Sequence, residues 1–124
     1  MQKKPRIYIA GPMRSYPNFN YPKFNGFESV LVDAGWDVVN PVRVGESIAD
    51  AEAINADPAL LEAVLAAEIL ALKTCDAIYL LYGWEKSNGA RKEVAAAIAH
   101  GLMIYLEPFI PFATTNPYKT TSES

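Results

Sequence analysis

The sequence predicts an α/β protein whose doubly wound parallel sheet has about five strands and carries helices on both faces. Two observations predict this architecture. Short apolar segments of strand length alternate with longer helical segments in the order βαβαβαβ, and parallel strands require crossover helices that lie on the faces of the sheet. The length of 124 residues and the hydrophobic content of 51% also suit one compact domain.

The first half of the chain contributes two predicted strands and one helix. Gly35 is placed to terminate a helix over residues 21–34, which lies between predicted strands at residues 6–10 and 36–40. A fifth strand is expected within residues 42–48 or in the C-terminal segment. The pattern is typical of a flavodoxin- or Rossmann-like sheet.

The second half repeats the alternation of helix and strand. Asp57 and Pro58 supply an N-cap and a first-turn proline for a helix that ends near Lys73. The remaining predicted elements are a buried strand at residues 76–82, a helix at residues 88–100 stopped by Gly101, and a last strand at residues 102–106.

We expect the folded domain to span residues 1–107 and a tail to span residues 108–124. The tail combines three prolines with several threonines and serines, and this composition disfavours regular structure. Either the tail is disordered or it lies across a partner subunit.

The composition argues against several functional classes. The net charge is −3 and the lysines and arginines are scattered, so a nucleic-acid polymer is not an expected partner, although free nucleotides are compatible with this charge. One His and one Cys offer no metal cluster. Cys75 is expected to be a buried structural thiol in a reducing compartment.

The N-terminal region predicts a cytoplasmic protein with no membrane partner. Its apolar run covers only residues 7–10 and follows two lysines and an arginine. Such a run is too short for the core of a signal peptide or for a membrane span.

The junction between the third predicted strand and the following helix is the strongest candidate site. Unpaired N–H groups and the positive end of the helix dipole suit an anionic group there, and ligands of open α/β sheets bind at this edge. Glu93 lies one turn into the helix, on the side that carries Ala90, Ala96 and Ala97. We therefore expect its carboxylate to face a surface of small residues.

Glu68 interrupts an apolar stripe in the preceding helix. It shares the stripe with Leu61, Leu65 and Leu72 at helical spacing. A buried carboxylate is costly unless it has a partner. Two interpretations remain open: Glu68 reaches water at the edge of the stripe, or it pairs with Glu93 or a substrate hydroxyl in a cleft.

The turn after the first strand is a weaker candidate. Gly11 permits a tight turn there, and Arg14 is able to form a forked contact with a phosphate or carboxylate. The alternative is a solvated arginine. The nearby aromatic residues Tyr16, Phe19 and Tyr21 are expected to pack the loop and not to stack on a base.

Together these segments resemble the nucleoside 2-deoxyribosyltransferase-like superfamily, especially its small uncharacterised branch common in phages and bacteria. The resemblance covers residues 6 to about 106. The segments that carry it are residues 7–14 (IYIAGPMR), 39–41 (VNP), 75–78 (CDAI) and 83–93 (GWEKSNGARKE).

The resemblance implies roles for individual residues. Glu93 matches the nucleophile of the characterised relatives, Tyr8 matches a tyrosine near it, and Glu68 stands where they usually have an aspartate that orients the nucleophile or handles the leaving base. Substrate contacts are implied at six positions that match the first turn and the helix start: Gly11, Met13, Arg14, Ser87, Asn88 and Gly89. Gly11, Arg14 and Ser87 match 5′-phosphate contacts of nucleoside monophosphate hydrolases, whose nearby serine is replaced here by Pro12.

The resemblance also implies an activity and an assembly. We expect an N-glycosidase or deoxyribosyltransferase that acts on a (deoxy)nucleoside 5′-monophosphate through a glutamate nucleophile, with no metal or cofactor. One alternative is a non-catalytic nucleotide-binding module of the same fold, and another is a nucleoside 2-deoxyribosyltransferase. Relatives complete their sites across a subunit contact, so a homodimer or higher homo-oligomer is expected.

Overall fold

A computed structural model describes residues 4–113 and shows a parallel sheet between two layers of helices. The strands are β1 (Arg6–Ala10), β2 (Asp37–Val39), β3 (Ala77–Leu80) and β4 (Met103–Leu106). The helices are α1 (Tyr21–Asp33), α2 (Pro41–Glu46), α3 (Ala51–Ala56), α4 (Pro58–Leu72) and α5 (Asn88–Ala99), and short 3-10 turns cover Pro17–Asn20 and Trp84–Lys86.

The strand order β2-β1-β3-β4 confirms the doubly wound architecture. All three strand pairings are parallel, and Tyr8 of β1 pairs with Val39 of β2 and Ile78 of β3. From β1 the chain first moves outward to β2 and then returns to the other side of β1 to form β3. The strand order therefore reverses between β1 and β3, and the crevice at their carboxyl ends is where such sheets bind ligands.

The two faces of the sheet are covered by different helices. Ile7 and Ile9 of β1 are fully buried in a cluster that includes Leu31 of α1. Tyr8 points to the opposite face, where its cluster includes Leu72 of α4 and residues of α5. Alternating side chains of one strand thus build two separate cores, as expected for a sheet with both faces covered.

The predicted strand count of about five is wrong for the described residues, which form four strands. Most of residues 42–48, one of the two places proposed for the extra strand, belong to α2. The other place was the C-terminal segment, which forms no strand over residues 108–113. Asn40 caps this helix by accepting a hydrogen bond from Val42 N at 3.0 Å, and Pro41 occupies the first helical position. These N-terminal signals favour a helix over a strand.

The other predicted helices and strands lie where they were expected, with ends that differ by one or two residues. The sequence prediction missed α3 as well as α2. Asp50 caps α3 by accepting a hydrogen bond from Ala53 N at 2.8 Å. Both missed helices are six residues long, which is too short to show a hydrophobic period.

The chain after β4 packs back over the core on the α1 side of the sheet. Trp36 Nε1 donates a hydrogen bond to Pro111 O at 2.8 Å, and Ala113 N donates one to Ala34 O at 2.9 Å. The first residues of the predicted tail are thus attached to the folded domain. Residues 114–124 of that tail lie outside the described residues.

β4 forms one edge of the sheet and leaves apolar side chains exposed. Met103, Ile104 and Leu106 of this strand are exposed, as is Ile98 near the end of α5. Among residues 4–113, no helix has the length and apolar character needed to cross a membrane. The β4 edge is therefore an apolar surface of the described domain.

Candidate active site

A cavity of about 730 Å³ opens at the carboxyl ends of β1 and β3. Its walls come from the turn after β1, from α2, α3 and α4, and from the start of α5. The volume lies in the range of small-molecule binding sites. The reversal of strand order leaves this crevice open, because neighbouring connections run to opposite sides of the sheet.

Glu93 lies at the floor of this cavity and is 4% exposed. Tyr8 donates its hydroxyl proton to Glu93 Oε2 at 2.6 Å in a buried hydrogen bond that joins β1 to α5. Ala90 and Ala97 are buried on the same side of the helix. Their small side chains let α5 approach the sheet closely enough for this contact.

Glu68 reaches Glu93 from α4. Its side chain is half-buried, lines the cavity and shares a hydrogen bond with the Glu93 carboxyl group. The sequence left two positions open for the Glu68 side chain. The structure places it against Glu93 and not in water at the edge of the apolar stripe. Tyr8, Glu68 and Glu93 thus form one cluster, which is named the carboxyl cluster below.

The two glutamates of the carboxyl cluster differ in how strongly they hold a proton. Burial raises the pKa of Glu68, and the charge of Glu93 raises it further. Burial also raises the pKa of Glu93, but hydrogen bonds from Glu68 and Tyr8 oppose that rise. The pair therefore shares one proton, which resides mainly on Glu68 and leaves Glu93 as the anion.

Tyr8 remains a neutral hydrogen-bond donor in this cluster. Burial raises the pKa of its hydroxyl, and the charge of Glu93 raises it further. The hydroxyl therefore keeps its proton and donates it towards the carboxylate.

The structure brings all six predicted substrate-binding residues to this cavity: Gly11, Met13, Arg14, Ser87, Asn88 and Gly89. Arg14 is exposed at the wall and Met13 is half-buried. Gly11 is tightly enclosed, because a Cβ there would lie 2.8 Å from Leu81 Cβ. Ser87 Oγ accepts a hydrogen bond from Ala90 N at 3.1 Å, which caps α5 and leaves the hydroxyl proton for a ligand.

Sequence reasoning missed one wall of the cavity and two of its cations. The wall is formed by α2 and α3, and it includes Gly45, Ile54 and Asn55. Lys86 and Lys92 also line the cavity, and neither forms an ion pair with a described residue. The capping residues that precede α2 and α3 are the sequence signal that could have revealed the wall.

A buried amide holds α2 against the rest of the domain. Asn40 is 2% exposed, and its Nδ2 donates to Asn25 Oδ1 at 3.0 Å and to Glu28 Oε1 at 2.9 Å. Arg43 of α2 contacts the same Glu28 oxygen at 3.0 Å. These contacts link α2 to α1 and fix the position of the wall.

Residues 5–106 match the sequence family described as "Domain of unknown function (DUF4406)". The chain belongs to this family. The matched span contains all four strands and every residue of the carboxyl cluster. No curated protein matches this DUF4406 chain.

A solved structure with the same fold is that of a 2-deoxyribosyltransferase from the psychrotolerant bacterium Bacillus psychrosaccharolyticus. It superposes on the DUF4406 chain with a TM-score of 0.62 and 18% sequence identity, over 94% of this chain and 80% of the other. The likeness confirms the predicted α/β fold.

The carboxyl cluster has the chemical equipment for acid and base catalysis. An ionised carboxylate beside a protonated carboxyl group is able to stabilise or capture a carbocation-like centre while its neighbour protonates a leaving group. In the carboxyl cluster the raised pKa of Glu68 places a protonated carboxyl group beside the Glu93 carboxylate, which is the pair of groups that such chemistry uses.

We expect Glu68→Gln to reduce the loss of stability at higher pH. The folded-state pKa of Glu68 is raised, so its contribution is complete below the unfolded value of about 4.3 and is lost as the pH rises through the folded-state pKa. Each pH unit over which only the folded protein holds this proton changes the free energy of unfolding by about 1.4 kcal/mol.

Urea denaturation from about pH 5 to about pH 8 measures this dependence. The variant should lose less stability than the wild type over this range. Glu52→Gln, at an exposed position in α3 outside the cavity, is the matched control. If the free energy of unfolding changed equally with pH in the wild type and in Glu68→Gln, Glu68 would not hold a proton in the folded protein.

Proposed function

We propose that the protein cleaves or exchanges the base of a (deoxy)nucleoside 5′-monophosphate, with Glu93 as the nucleophile. The observation that carries this proposal is the buried Glu93 carboxylate, which accepts a 2.6 Å hydrogen bond from Tyr8 and adjoins Glu68 at the floor of the cavity. Keeping a carboxylate in such a place is costly. A catalytic role accounts for the buried carboxylate, because its negative charge would stabilise a cation that develops in the reaction.

The reaction begins with cleavage of the N-glycosidic bond. The bonding electrons leave with the base, and positive charge develops on the sugar ring. The Glu93 carboxylate stabilises this charge and forms an ester bond to the anomeric carbon. The proton held by Glu68 passes to the nitrogen of the leaving base.

The second step restores the enzyme. Water attacks the anomeric carbon, the ester bond breaks, and the Glu68 carboxylate accepts the proton of the water. In base exchange, a second base attacks in place of water. The hydrogen bond from Tyr8 keeps the Glu93 carboxylate oriented through both steps.

The cavity wall at the start of α5 supports a phosphorylated substrate. Arg14, Lys86 and Lys92 line the cavity near the helix start at residues 87–89. Cationic side chains and free N–H groups at a helix N-terminus favour an anion. Pro12 removes a hydroxyl and a backbone N–H donor relative to the hydrolases that the sequence resembles, so Arg14 is expected to have a larger share of the binding.

The shared fold with a 2-deoxyribosyltransferase favours transfer between unphosphorylated nucleosides as a second candidate. That transfer requires an acceptor base, as base exchange on a monophosphate also does, whereas hydrolysis does not. A binding module would instead retain nucleotides without releasing a base. Incubation with each nucleoside monophosphate and each nucleoside, with and without an acceptor base, followed by chromatography for free base and new nucleosides, distinguishes the three functions.

Glu93→Gln should reduce the rate of base release by at least about a thousandfold, because an amide neither attacks the sugar nor balances its charge. Folding and nucleotide affinity should largely survive. A nucleotide with a 2-fluoro-2-deoxyribosyl group should also leave a sugar adduct on the Glu93 peptide of the wild type, measurable by mass spectrometry. Full activity in Glu93→Gln, with Glu52→Gln as the control, would rule out this mechanism.

Arg14→Ala should weaken the use of nucleoside monophosphates by about 1.5–3 kcal/mol, the range for a hydrogen bond to a charged group. The corresponding nucleosides should be almost unaffected, because they lack the phosphate. Measuring kcat/KM on matched nucleotide and nucleoside substrates tests this. Equal losses on both would remove the phosphate assignment.

We propose that the protein forms a symmetric dimer through its apolar edge. The small-residue face of α5 is not free for this contact, because Ala97 packs in the core beside the sheet and Ala90 is buried at the cavity. The adjoining surface is apolar and exposed at Ile98, Met103 and Ile104. Burial of such a patch is a common basis of association.

Light scattering at micromolar concentration should therefore give the mass of at least a dimer. Ile98→Glu should shift the protein towards a monomer, because it would bury a charge in the contact. The exposed Val32 lies on α1, and Val32→Glu is the matched control. A monomeric wild type would exclude the dimer.

A further inference from the structure

Helix α4 lines the cavity and packs against both α5 and the wall formed by α2 and α3. On one side Leu65 faces α5, since a Cβ at Gly89 would lie 3.9 Å from Leu65 Cδ1. On the other side Val64 faces α2 and α3, since a Cβ at Gly45 would lie 3.4 Å from Ile54 Cδ1 and 3.9 Å from Val64 Cγ1. The end bounded by α5 is called the phosphate end, and the end bounded by α2 and α3 is called the base end.

The two ends differ in their chemistry. The phosphate end has cationic side chains and the start of α5. The base end is lined mainly by apolar groups, among them Pro41, Ile54 and Val64. Flat aromatic bases suit such a wall. Glu68 lies one turn beyond Val64 on the same helix, so a base at this end would leave beside its proton donor.

Asn55 places an amide at the base end. Its side chain is half-buried in the last turn of α3 and lines the cavity. Its Nδ2 donates a hydrogen bond to Ala51 O at 2.8 Å. Because a carbonyl oxygen only accepts, this bond fixes which side of the amide faces the helix. Oδ1 and the second N–H remain for a ligand.

We propose that Asn55 is a specificity-determining residue that recognises the hydrogen-bonding edge of the nucleobase. This inference rests on the proposed function, since it assumes that the cavity holds a nucleotide. The Asn55 amide accepts from a ring or amino N–H of the base through Oδ1 and donates to the adjacent acceptor through its free N–H. Each common base carries such a donor and acceptor side by side.

This pairing selects for an unmodified base edge. A methyl group on the ring nitrogen removes a donor or blocks an acceptor, and the half-buried amide then loses a partner. A sugar phosphate without a base does not reach the amide at all. Asn55 should therefore contribute to the binding of intact nucleotides and contribute nothing to the binding of their sugar phosphate.

The experiment uses the full chain with Glu93→Gln, so that turnover does not consume the ligand. Calorimetry measures binding of the four common deoxynucleoside 5′-monophosphates, of 2-deoxyribose 5-phosphate, and of the tightest nucleotide methylated on the ring nitrogen of its edge. Asn55→Ala and Arg14→Ala are compared in this background. Glu52→Ala, on the exposed side of α3, is the matched control for changes in the helix itself.

Asn55→Ala should weaken the tightest nucleotide by about fivefold to about a hundredfold, the range for loss of an amide pair with a base. It should leave 2-deoxyribose 5-phosphate and the methylated nucleotide unchanged. Arg14→Ala should weaken all three. The two variants should therefore affect different sets of ligands, and this difference separates base recognition from phosphate recognition.

Three outcomes would overturn the inference. Unchanged nucleotide affinity in Asn55→Ala would show that the amide does not contact the base. Equal losses for nucleotide and sugar phosphate would show that Asn55 only supports the wall. If Glu93→Gln and the wild type both fail to bind any nucleotide or sugar phosphate, the proposed function fails together with the inference, whereas the first two outcomes leave the proposed function standing.

Discussion

The buried hydrogen bond between Tyr8 and Glu93 is the constraint on which the rest of the site depends. A carboxylate enclosed between a sheet and a helix is unfavourable unless its oxygens have partners. Tyr8 supplies one partner from the central strand, and Glu68 supplies another from the neighbouring helix. The small residues of α5 follow from this, because larger ones would hold Glu93 too far from β1. β1, α4 and α5 are thus packed around the carboxylate of Glu93.

The sequence predicted the long helices and the apolar strands that alternate with them. The central strands are continuous apolar segments, and α1, α4 and α5 are long enough to show helical spacing. Glu93 and Glu68 were also recognisable, because each is a carboxylate in an otherwise small or apolar face. The strand order then brings the two glutamates together at the edge where β1 and β3 end. A local sequence pattern indicates that both lie near this edge, but it does not give the distance between them.

The remaining features depend on contacts between distant residues. The wall formed by α2 and α3 was missed, and residues 42–48 were one of two places predicted for an extra strand, because the apolar residues after Asn40 suit either structure. The amide of Asn40 decides between them through its contacts with Asn25 and Glu28, fifteen and twelve residues away. The hydrogen bond from Trp36 Nε1 to Pro111 O likewise joins positions far apart in the chain. Neither contact leaves a periodic mark on the sequence.

α3 is a six-residue helix between two capping aspartates, Asp50 at its start and Asp57 at the start of α4. Asp57 ends α3 and caps the start of α4, and the two helices pack against each other. For protein engineering, α3 and α4 therefore form one unit. Substitutions that keep the length of α3 change only the cavity lining, whereas an insertion in α3 would also displace the helix that carries Glu68.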